Sequence, residues 1–240
     1  MKNKVFQFKQ FSVSQSESAM KIGTDGVLLG AWVPVPNHIQ KIVDVGAGTG
    51  IIALMLAQRS SAEVIDAIEI DEKAYIECTN NFEDSPWGDR LFCYFASFEE
   101  FVAEMNDEQY DLVVSNPPFY TSDGNAVQTA RNQARFEHFL PFETLIEGAS
   151  QLLSDVGTFA VIIPYAEESN FIDLAKQRGL FPNKITRVKG NATSDVKRSL
   201  ITFTKTQLEV YPINVLVIEK KRNVYTDEYI SLTKDFYLKM

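Results

Sequence analysis

Two short motifs and one isolated acid carry residue types able to do chemistry, and each stands at the end of an apolar run. The first motif, Asp44-Val45-Gly46-Ala47-Gly48-Thr49-Gly50, closes a strand-like run and opens an apolar helical one. Glycines let a backbone approach a ligand closely, and a helix N-terminus offers unpaired N–H groups. The spacing is G-x-G-x-G, not the G-x-G-x-x-G of a dinucleotide loop. A carboxylate at Asp44 would repel a pyrophosphate and suits a cationic amino group instead. The loop thus points to S-adenosylmethionine rather than to a nicotinamide cofactor. Nineteen residues beyond Gly50, Glu69 ends a second apolar run, where an acid is placed to accept both hydroxyls of a ribose. Asp71 competes for that role, although its position also suits a helix N-cap.

The second motif is Asn116-Pro117-Pro118-Phe119. Two successive prolines fix φ and remove two donors, which leaves a stiff loop of carbonyl acceptors. The Asn116 side-chain oxygen and the Pro117 carbonyl could accept both N–H bonds of an amino group, with Phe119 stacking on the flat system that bears it. A conjugated amine is a poor nucleophile because its lone pair is delocalised. Holding its N–H bonds in acceptors favours a tetrahedral nitrogen, so the site supplies position and electrostatics rather than a strong base.

Positioning such motifs requires strands that end along one edge. Strand patterns fall at residues 41–45, 64–70, 90–95, 110–115 and 158–163, with helical patterns at 51–59, 72–82, 98–105, 141–153 and 167–178. That alternation predicts βαβ units and a parallel sheet covered on both faces. Beyond Gly179 the texture changes: strands at 184–189 and 199–205 flank a polar loop, one more follows at 214–219, and an amphipathic helix is expected over 226–238. The expected architecture is one doubly wound, Rossmann-like α/β domain over residues 39–240, with residues 1–38 forming an arm and capping segment packed on it.

Composition narrows the class. With 240 residues, 45% hydrophobic and 23% charged, the chain is long enough for one large core and is not a disordered polymer. It has no apolar run of membrane-spanning length and no signal-peptide pattern, so a cytoplasmic protein without a membrane partner is expected. Cys78 and Cys93 make no disulfide framework, show no activating neighbours and belong to no zinc-like cluster, so no metal is expected. His38 and His138 stand in no catalytic constellation, and Trp32 and Trp87 read as core or cover.

The net charge is −9, but it is unevenly spread. Fifteen acids lie between Glu63 and Asp111 against only Lys73 and Arg90, whereas residues 176–205 carry eight cations and one acid, Asp195. An acidic body with basic segments can still hold a polyanion locally, because exposed charges are screened beyond about 10 Å. Arg131 and Arg135, four apart beyond the proline motif, could grip phosphates. A solvated basic hairpin without a partner is the competing account. The alternating arm Phe6-Gln7-Phe8-Lys9-Gln10-Phe11 reads either as an edge strand covering the fold or as an RNA contact.

Taken together, these residues resemble the class I methyltransferases that modify planar amino groups through an N-P-P-[FYW] motif. More narrowly, the chain is similar to the bacterial tRNA (adenine-6-amino) methyltransferases that act on the adenosine just 3′ of the anticodon, position 37, of a valine tRNA. That likeness rests on residues 6–11, on Ala19-Met20-Lys21-Ile22-Gly23-Thr24-Asp25-Gly26-Val27-Leu28-Leu29-Gly30-Ala31-Trp32, on both motifs, on Ala130-Arg131 and Ala134-Arg135, and on Lys197-Arg198-Ser199-Leu200. The resemblance implies a mostly parallel seven-stranded sheet with an antiparallel edge, S-adenosylmethionine as cofactor, tRNA as partner and no obligate protein partner. It implies a cofactor site of Lys21, Thr24, Asp25, Asp44, Gly46, Ala47, Gly48, Gly50, Glu69, Ile70, Ser97 and Asn116. Asn116, Pro117, Pro118 and Phe119 would hold the adenine. RNA contacts would come from Arg131, Arg135, Lys184, Arg187, Lys189, Lys197 and Arg198. Relatives often place Asp or Asn after the third strand, where this chain has Phe95-Ala96-Ser97-Phe98.

Rival functions make different demands. Methylation of a protein glutamine would use the same proline motif but calls for an N-terminal helical domain, and only about 40 residues precede the first strand here. Methylation of ribosomal RNA fits the basic segment equally well. A non-enzymatic RNA-binding module would have no reason to keep both motifs, and an oxidoreductase leaves Asn116–Phe119 unexplained.

Overall fold

The computed structural model describes residues 5–16, 18, 21–105, 107–118 and 140–240. It opens with a short hairpin, β1 (Val5–Gln7) and β2 (Ser12–Ser14), followed by α1 (Thr24–Trp32). Strand and helix then alternate through β3 (Lys41–Val45), α2 (Ile51–Arg59), β4 (Val64–Glu69), α3 (Glu72–Glu83), β5 (Leu91–Phe95), α4 (Phe98–Glu104) and β6 (Tyr110–Ser115). The later elements are α5 (Phe142–Leu152), β7 (Leu153–Pro164), α6 (Glu168–Gln177), β8 (Phe181–Asn191), β9 (Val196–Thr204), β10 (Ile213–Lys221), β11 (Val224–Tyr225) and α7 (Asp227–Thr233).

The main sheet runs in the order β11-β10-β8-β9-β7-β6-β3-β4-β5. Its pairings are parallel except where β9 lies between β7 and β8 and where β11 forms the outer edge. The main sheet has nine strands, where the resemblance implies seven and the sequence pattern eight. The strand expected over 214–219 is β10, parallel to β8, and the two-residue β11 is the one the pattern does not mark. Most of β10 is exposed or half-buried, as a strand near the edge can be. The closing helix also stops at Thr233, short of the expected 226–238, with Thr226 as its N-cap accepting from the Tyr229 N–H.

Alternation along the inner strands divides the core. Ile42, Leu112, Val114, Ala160 and Ile162 face the cluster built with α1, α2, α3 and α7. Val43, Val113, Phe159, Val161 and Ile163 face the one built with α4, α5 and α6. Residues before 39 share that first core, since Val27–Leu29 and Trp32 pack with Ile42 and Leu54. The arm covers rather than protrudes: Phe8 is buried, stacks on Phe11 and bridges to Tyr237.

Two side chains of α3 hold the arm. The Glu77 carboxylate accepts from the N–H and hydroxyl of both Ser16 and Ser18. The Asn81 side chain accepts from the Ser14 N–H at 2.7 Å and donates to the carbonyls of Ser14 and of Thr49, inside the glycine loop. One asparagine therefore ties arm to loop. Neither residue is singled out by sequence, because the contacts span about 30 to 70 positions. Glu77→Ala leaves several backbone and hydroxyl donors unpaired at once, at a cost of about 2 kcal/mol or more. The expected results are melting lowered by roughly 4–8 °C and faster chymotryptic cleavage within residues 6–11. An arm as protease-resistant as the wild type's would contradict this role.

Candidate active site

The site is built by register. Parallel pairing sets Val45 level with Ile68 of β4 and with Ser115 of β6. Gly46, Glu69 and Asn116 consequently leave their strands side by side, at spacings of about 4.8 Å. The Ser115 hydroxyl donates to the Val45 carbonyl at 2.8 Å and fastens β6 to the central strand of the row.

The glycine loop turns sharply because Gly46, Gly48 and Gly50 have φ of 73°, 58° and 78°, which residues with a Cβ adopt only under strain. Its amides are directed inward. Gly46 and Ala47 both donate to the Ile68 carbonyl at 3.0 Å, and Gly50 donates to the Ala47 carbonyl at 2.9 Å. Gly48 donates to Glu69 Oε2 at 2.7 Å. A loop with these N–H groups engaged is a poor cradle for a pyrophosphate, in accord with its spacing. The glycines also differ in purpose. A Cβ built on Gly46 or Gly48 meets nothing within 4 Å, so their faces are open to a ligand. On Gly50 it would lie 2.5 Å from Phe82 and 2.8 Å from Cys78 Sγ, so that glycine serves packing.

Glu69 is buried at the end of β4. Its Oε1 accepts from the N–H groups of Ile70 and Asp71 at 2.9 and 2.8 Å, besides the Gly48 bond on Oε2. Burial raises its pKa, and these three backbone donors pull it back. Of roughly four acceptor directions on a carboxylate, three are filled. One is left, where two hydroxyls are expected. Asp71 is not the alternative ligand: it caps α3, accepting from the Ala74 N–H at 2.8 Å.

Asp44 lies beneath the loop, fully buried, rather than facing a ligand. Its Oδ2 accepts from the Ala53 N–H of α2 at 3.2 Å, and its Oδ1 has no hydrogen-bond partner. Burial pushes its pKa up to about 7, the Ala53 bond opposes that, and the Glu69 charge adds to it. Cys78, packed under Gly50, is pushed well above the usual thiol range, first by burial and then by its hydrogen bond with Cys93.

Across the row, the Asn116 side-chain oxygen is enclosed yet unpartnered, a costly state unless a donor arrives. Pro117 is buried and Pro118 half-buried. Phe119, Arg131, Arg135 and His138 lie outside the described residues. Exposed apolar side chains at the ends of β4 and β5, Ile70 and Phe95, add a greasy flank beside Glu69. Phe95 is missed by motif reading, although an aromatic residue exposed at a strand end is itself a signal. These features together — two open glycine faces, a buried carboxylate with one acceptor free, an orphaned amide oxygen and an apolar flank — suit a nucleoside better than the pyrophosphate of a dinucleotide.

Several expected contacts are engaged elsewhere. Ser97 forms the capping box of α4: its N–H and hydroxyl both donate to Glu100 and its oxygen accepts the Glu100 N–H, so neither donor is left for a ligand's adenine. Asp25 accepts from Arg198 Nε at 2.8 Å, which pairs a residue expected at the cofactor with one expected at RNA. Thr24 is exposed in the first turn of α1, and the Lys21 ammonium donates to the Gln15 carbonyl. Arg187 is held by the buried Glu168, which also accepts from Ser199, so its guanidinium is structural. Lys184 sits over the Trp32 ring. Of the eight cations in residues 176–205, Lys176, Arg178, Arg187, Arg198 and Lys205 are ion-paired. Among the described residues, no group of three or more His, Cys, Asp or Glu could hold a metal, and no helix is long and apolar enough to cross a membrane.

Comparisons with known proteins bear on the family and the fold. Residues 16–176 match the model of the methyltransferase small domain. The chain is 58% identical over 236 residues to a tRNA1(Val) (adenine(37)-N6)-methyltransferase of Flavobacterium johnsoniae, covering 98% of this chain and 100% of that one. It is 45% identical to a protein of the same name from Bacteroides fragilis, covering both chains fully. Among solved structures, an Agrobacterium tumefaciens protein described as a predicted O-methyltransferase superposes with a TM-score of 0.68 at 20% identity, covering 88% of this chain and 96% of that one. Pyrococcus horikoshii TYW2, in complex with MeSAdo, gives 0.58 at 16% identity, covering 84% and 71%. At such identities the structures speak to the fold alone.

The buried Asp44 makes a testable demand. Its pKa is near 3.8 in the unfolded chain and about 7 in the fold, so the folded state binds the extra proton between those values. Stability therefore falls as pH rises from about 4 to 7 and levels above. Asp44→Asn removes the buried charge, so without ligand it should melt higher than the wild type at pH 8, with the margin shrinking toward pH 4–5. Thermal melts at both ends of that range decide the matter; a pH-independent margin would refute the assignment.

Proposed function

Because the chain belongs to the tRNA1(Val) (adenine(37)-N6)-methyltransferase family and contains a methyltransferase small domain, we propose that it transfers a methyl group from S-adenosylmethionine to the 6-amino group of adenosine 37 in a valine tRNA. The observation that carries this reading is the unpartnered Asn116 oxygen in one row with Gly46 and Glu69. It is an enclosed amide acceptor with no donor of its own, beside a carboxylate with one open direction and two glycine faces open to a ligand.

S-adenosylmethionine, when bound, supplies an electrophilic methyl carbon on a sulfonium. The residues around it have separate tasks. Glu69 accepts a ribose hydroxyl in its one open direction, the bare faces of Gly46 and Gly48 admit the ligand against the backbone, and Ile70 and Phe95 flank its adenine. Asp44 contributes negative potential from beneath the loop, which favours an ammonium above it. Ala47 and Gly50 shape the turn. Thr24, Asp25 and Lys21 lie on the segment that leads over this edge, with Asp25 set by Arg198.

At the substrate amine the task is acceptance. The Asn116 oxygen and the Pro117 carbonyl receive the two N–H bonds, and Pro117 and Pro118 keep that loop from relaxing away. As the nitrogen forms its new bond it becomes tetrahedral and gains positive charge, so both hydrogen bonds strengthen toward the transition state. The surplus proton then leaves to water. Phe119 supplies a stacking face for the target base. Arg131, Arg135, Lys189 and Lys197 are the cations assigned to phosphate contacts.

Labelled methyl transfer into a valine tRNA transcript, followed by nucleoside analysis, tests the whole reading. Label in 6-methyladenosine at position 37, lost when that adenosine is replaced by guanosine, is the expected result. Label at another position, or none from a protein that binds the cofactor, would overturn it. Asn116→Ala at saturating cofactor should lower kcat by about 10²-fold, the scale of one preorganised hydrogen bond. Turnover within a few fold of wild type would remove Asn116 from its role.

A further inference from the structure

We infer that the paired turns β8–β9 and β10–β11 form a second RNA contact, a phosphate-binding tip that grips the tRNA backbone about 20 Å from the target adenine. This inference rests on the reading of tRNA as substrate.

Topology brings the two turns together. β8 and β10 run parallel, with Lys189 level with Val217 and Asn191 level with Glu219. Their turns therefore emerge side by side, at the same edge of the sheet as Asn116. Both are internally braced. Asn191 Oδ1 accepts from the N–H groups of Thr193 and Ser194 and from the Thr193 hydroxyl. In the other turn Asn223 takes φ 62°, and its N–H donates to Glu219 Oε1 at 3.2 Å. A cleft of about 250 Å³ runs between Asn191–Thr193 on one side and Glu219–Arg222 on the other.

Charge then distinguishes this tip from the rest of the region. Most cations on these strands are matched: Arg187 with Glu168, Arg198 with Asp25, Lys220 with Asp227. Lys221, Arg222 and Lys197 are exposed and have no ion pair among the described residues. The Lys189 ammonium donates to the Ala192 carbonyl at 2.9 Å, which leaves its charge uncompensated. Two acids face this cluster, Asp195 beside the β8–β9 turn and Glu219 in the cleft. The four unmatched cations Lys189, Lys197, Lys221 and Arg222 therefore keep a net positive excess on two braced turns, a local site for a polyanion in a chain of net charge −9. Arg222 offers a planar fork and Lys221 and Lys189 point charges, the two ways proteins hold phosphate oxygens.

Distance fits one long substrate bound at both places. From β10 to β6 the sheet passes β8, β9 and β7, four spacings of about 4.8 Å or some 19 Å in all. At a rise of at most about 3.4 Å per pair, that is at least about six base steps. The tip thus meets backbone well separated from the target base, as a second contact on one long substrate does.

The test compares the full-length wild type with Lys221→Ala/Arg222→Ala on a full-length valine tRNA transcript. The expected result is KM for tRNA raised on the order of tenfold at about 0.15 M salt, and a log–log salt slope shallower by about two. Affinity for S-adenosylmethionine and the melting temperature should stay at wild-type values, and kcat within about twofold. The charge-keeping pair Lys221→Arg/Arg222→Lys should restore most of the loss. Wild-type KM and slope in the alanine pair, or a loss confined to kcat, would overturn the tip. If the wild type itself transfers no label to tRNA, the substrate reading has failed instead. Filter binding of the same transcript then judges the tip alone: weaker binding by the alanine pair supports it and equal binding refutes it.

Discussion

Parallel pairing of β3 with β4 on one side and β6 on the other sets Val45 level with Ile68 and Ser115, and the chemistry of the edge hangs from that row. Strands that end together leave carbonyls and amides with no further ladder partner, and such groups must be satisfied by the chain or by a ligand. Here the Ile68 carbonyl takes the Gly46 and Ala47 amides, and Glu69 takes those of Gly48, Ile70 and Asp71. Among the described residues of this row, the Asn116 oxygen has no partner and Glu69 keeps one acceptor direction open, both left for something the chain does not supply. A slip of one residue in either pairing would turn Glu69 or Asn116 to the opposite face of the sheet.

The second constraint is electrostatic. Four carboxylates are buried near this edge — Asp44, Glu69, Glu77 and Glu168 — and each is held by donors of a different kind. Asp44 has a helix amide, Glu69 a set of loop amides, Glu77 the serines of the arm, and Glu168 the Arg187 guanidinium. Burying a charge is costly unless hydrogen bonds replace its water. The sites with full replacement brace the fold. Asp44, with one oxygen unpartnered, is the least satisfied, and its pKa rises accordingly.

Rigidity is distributed unevenly for the same reason. Gly50 is locked between Phe82 and Cys78, while Gly46 and Gly48 face open space. The loop is thus anchored at its helix end and bare where a ligand approaches. Asn81 extends the bracing to the arm by binding the Thr49 and Ser14 carbonyls together, which ties the arm, the loop and α3 through one side chain.

The glycine loop, Glu69 and Asn116–Phe119 are legible in the linear sequence because their geometry is local. A positive φ, an acid at a strand end and a double proline each act within a few residues of backbone, and an alternating run of strands and helices implies one shared edge. The assignments that changed depend on partners far along the chain or on burial. Arg198 meets Asp25 across 173 positions, Arg187 meets Glu168 across 19, and Glu77 reaches Ser16 across 61. Composition marks residues 176–205 as basic, but only tertiary contact decides which of those charges are neutralised and which, with Lys221 and Arg222, stay free to meet an anion. The backbone's local preferences therefore determined where the reacting groups stand. Long-range packing, through desolvation and charge pairing, decided which of them remain available.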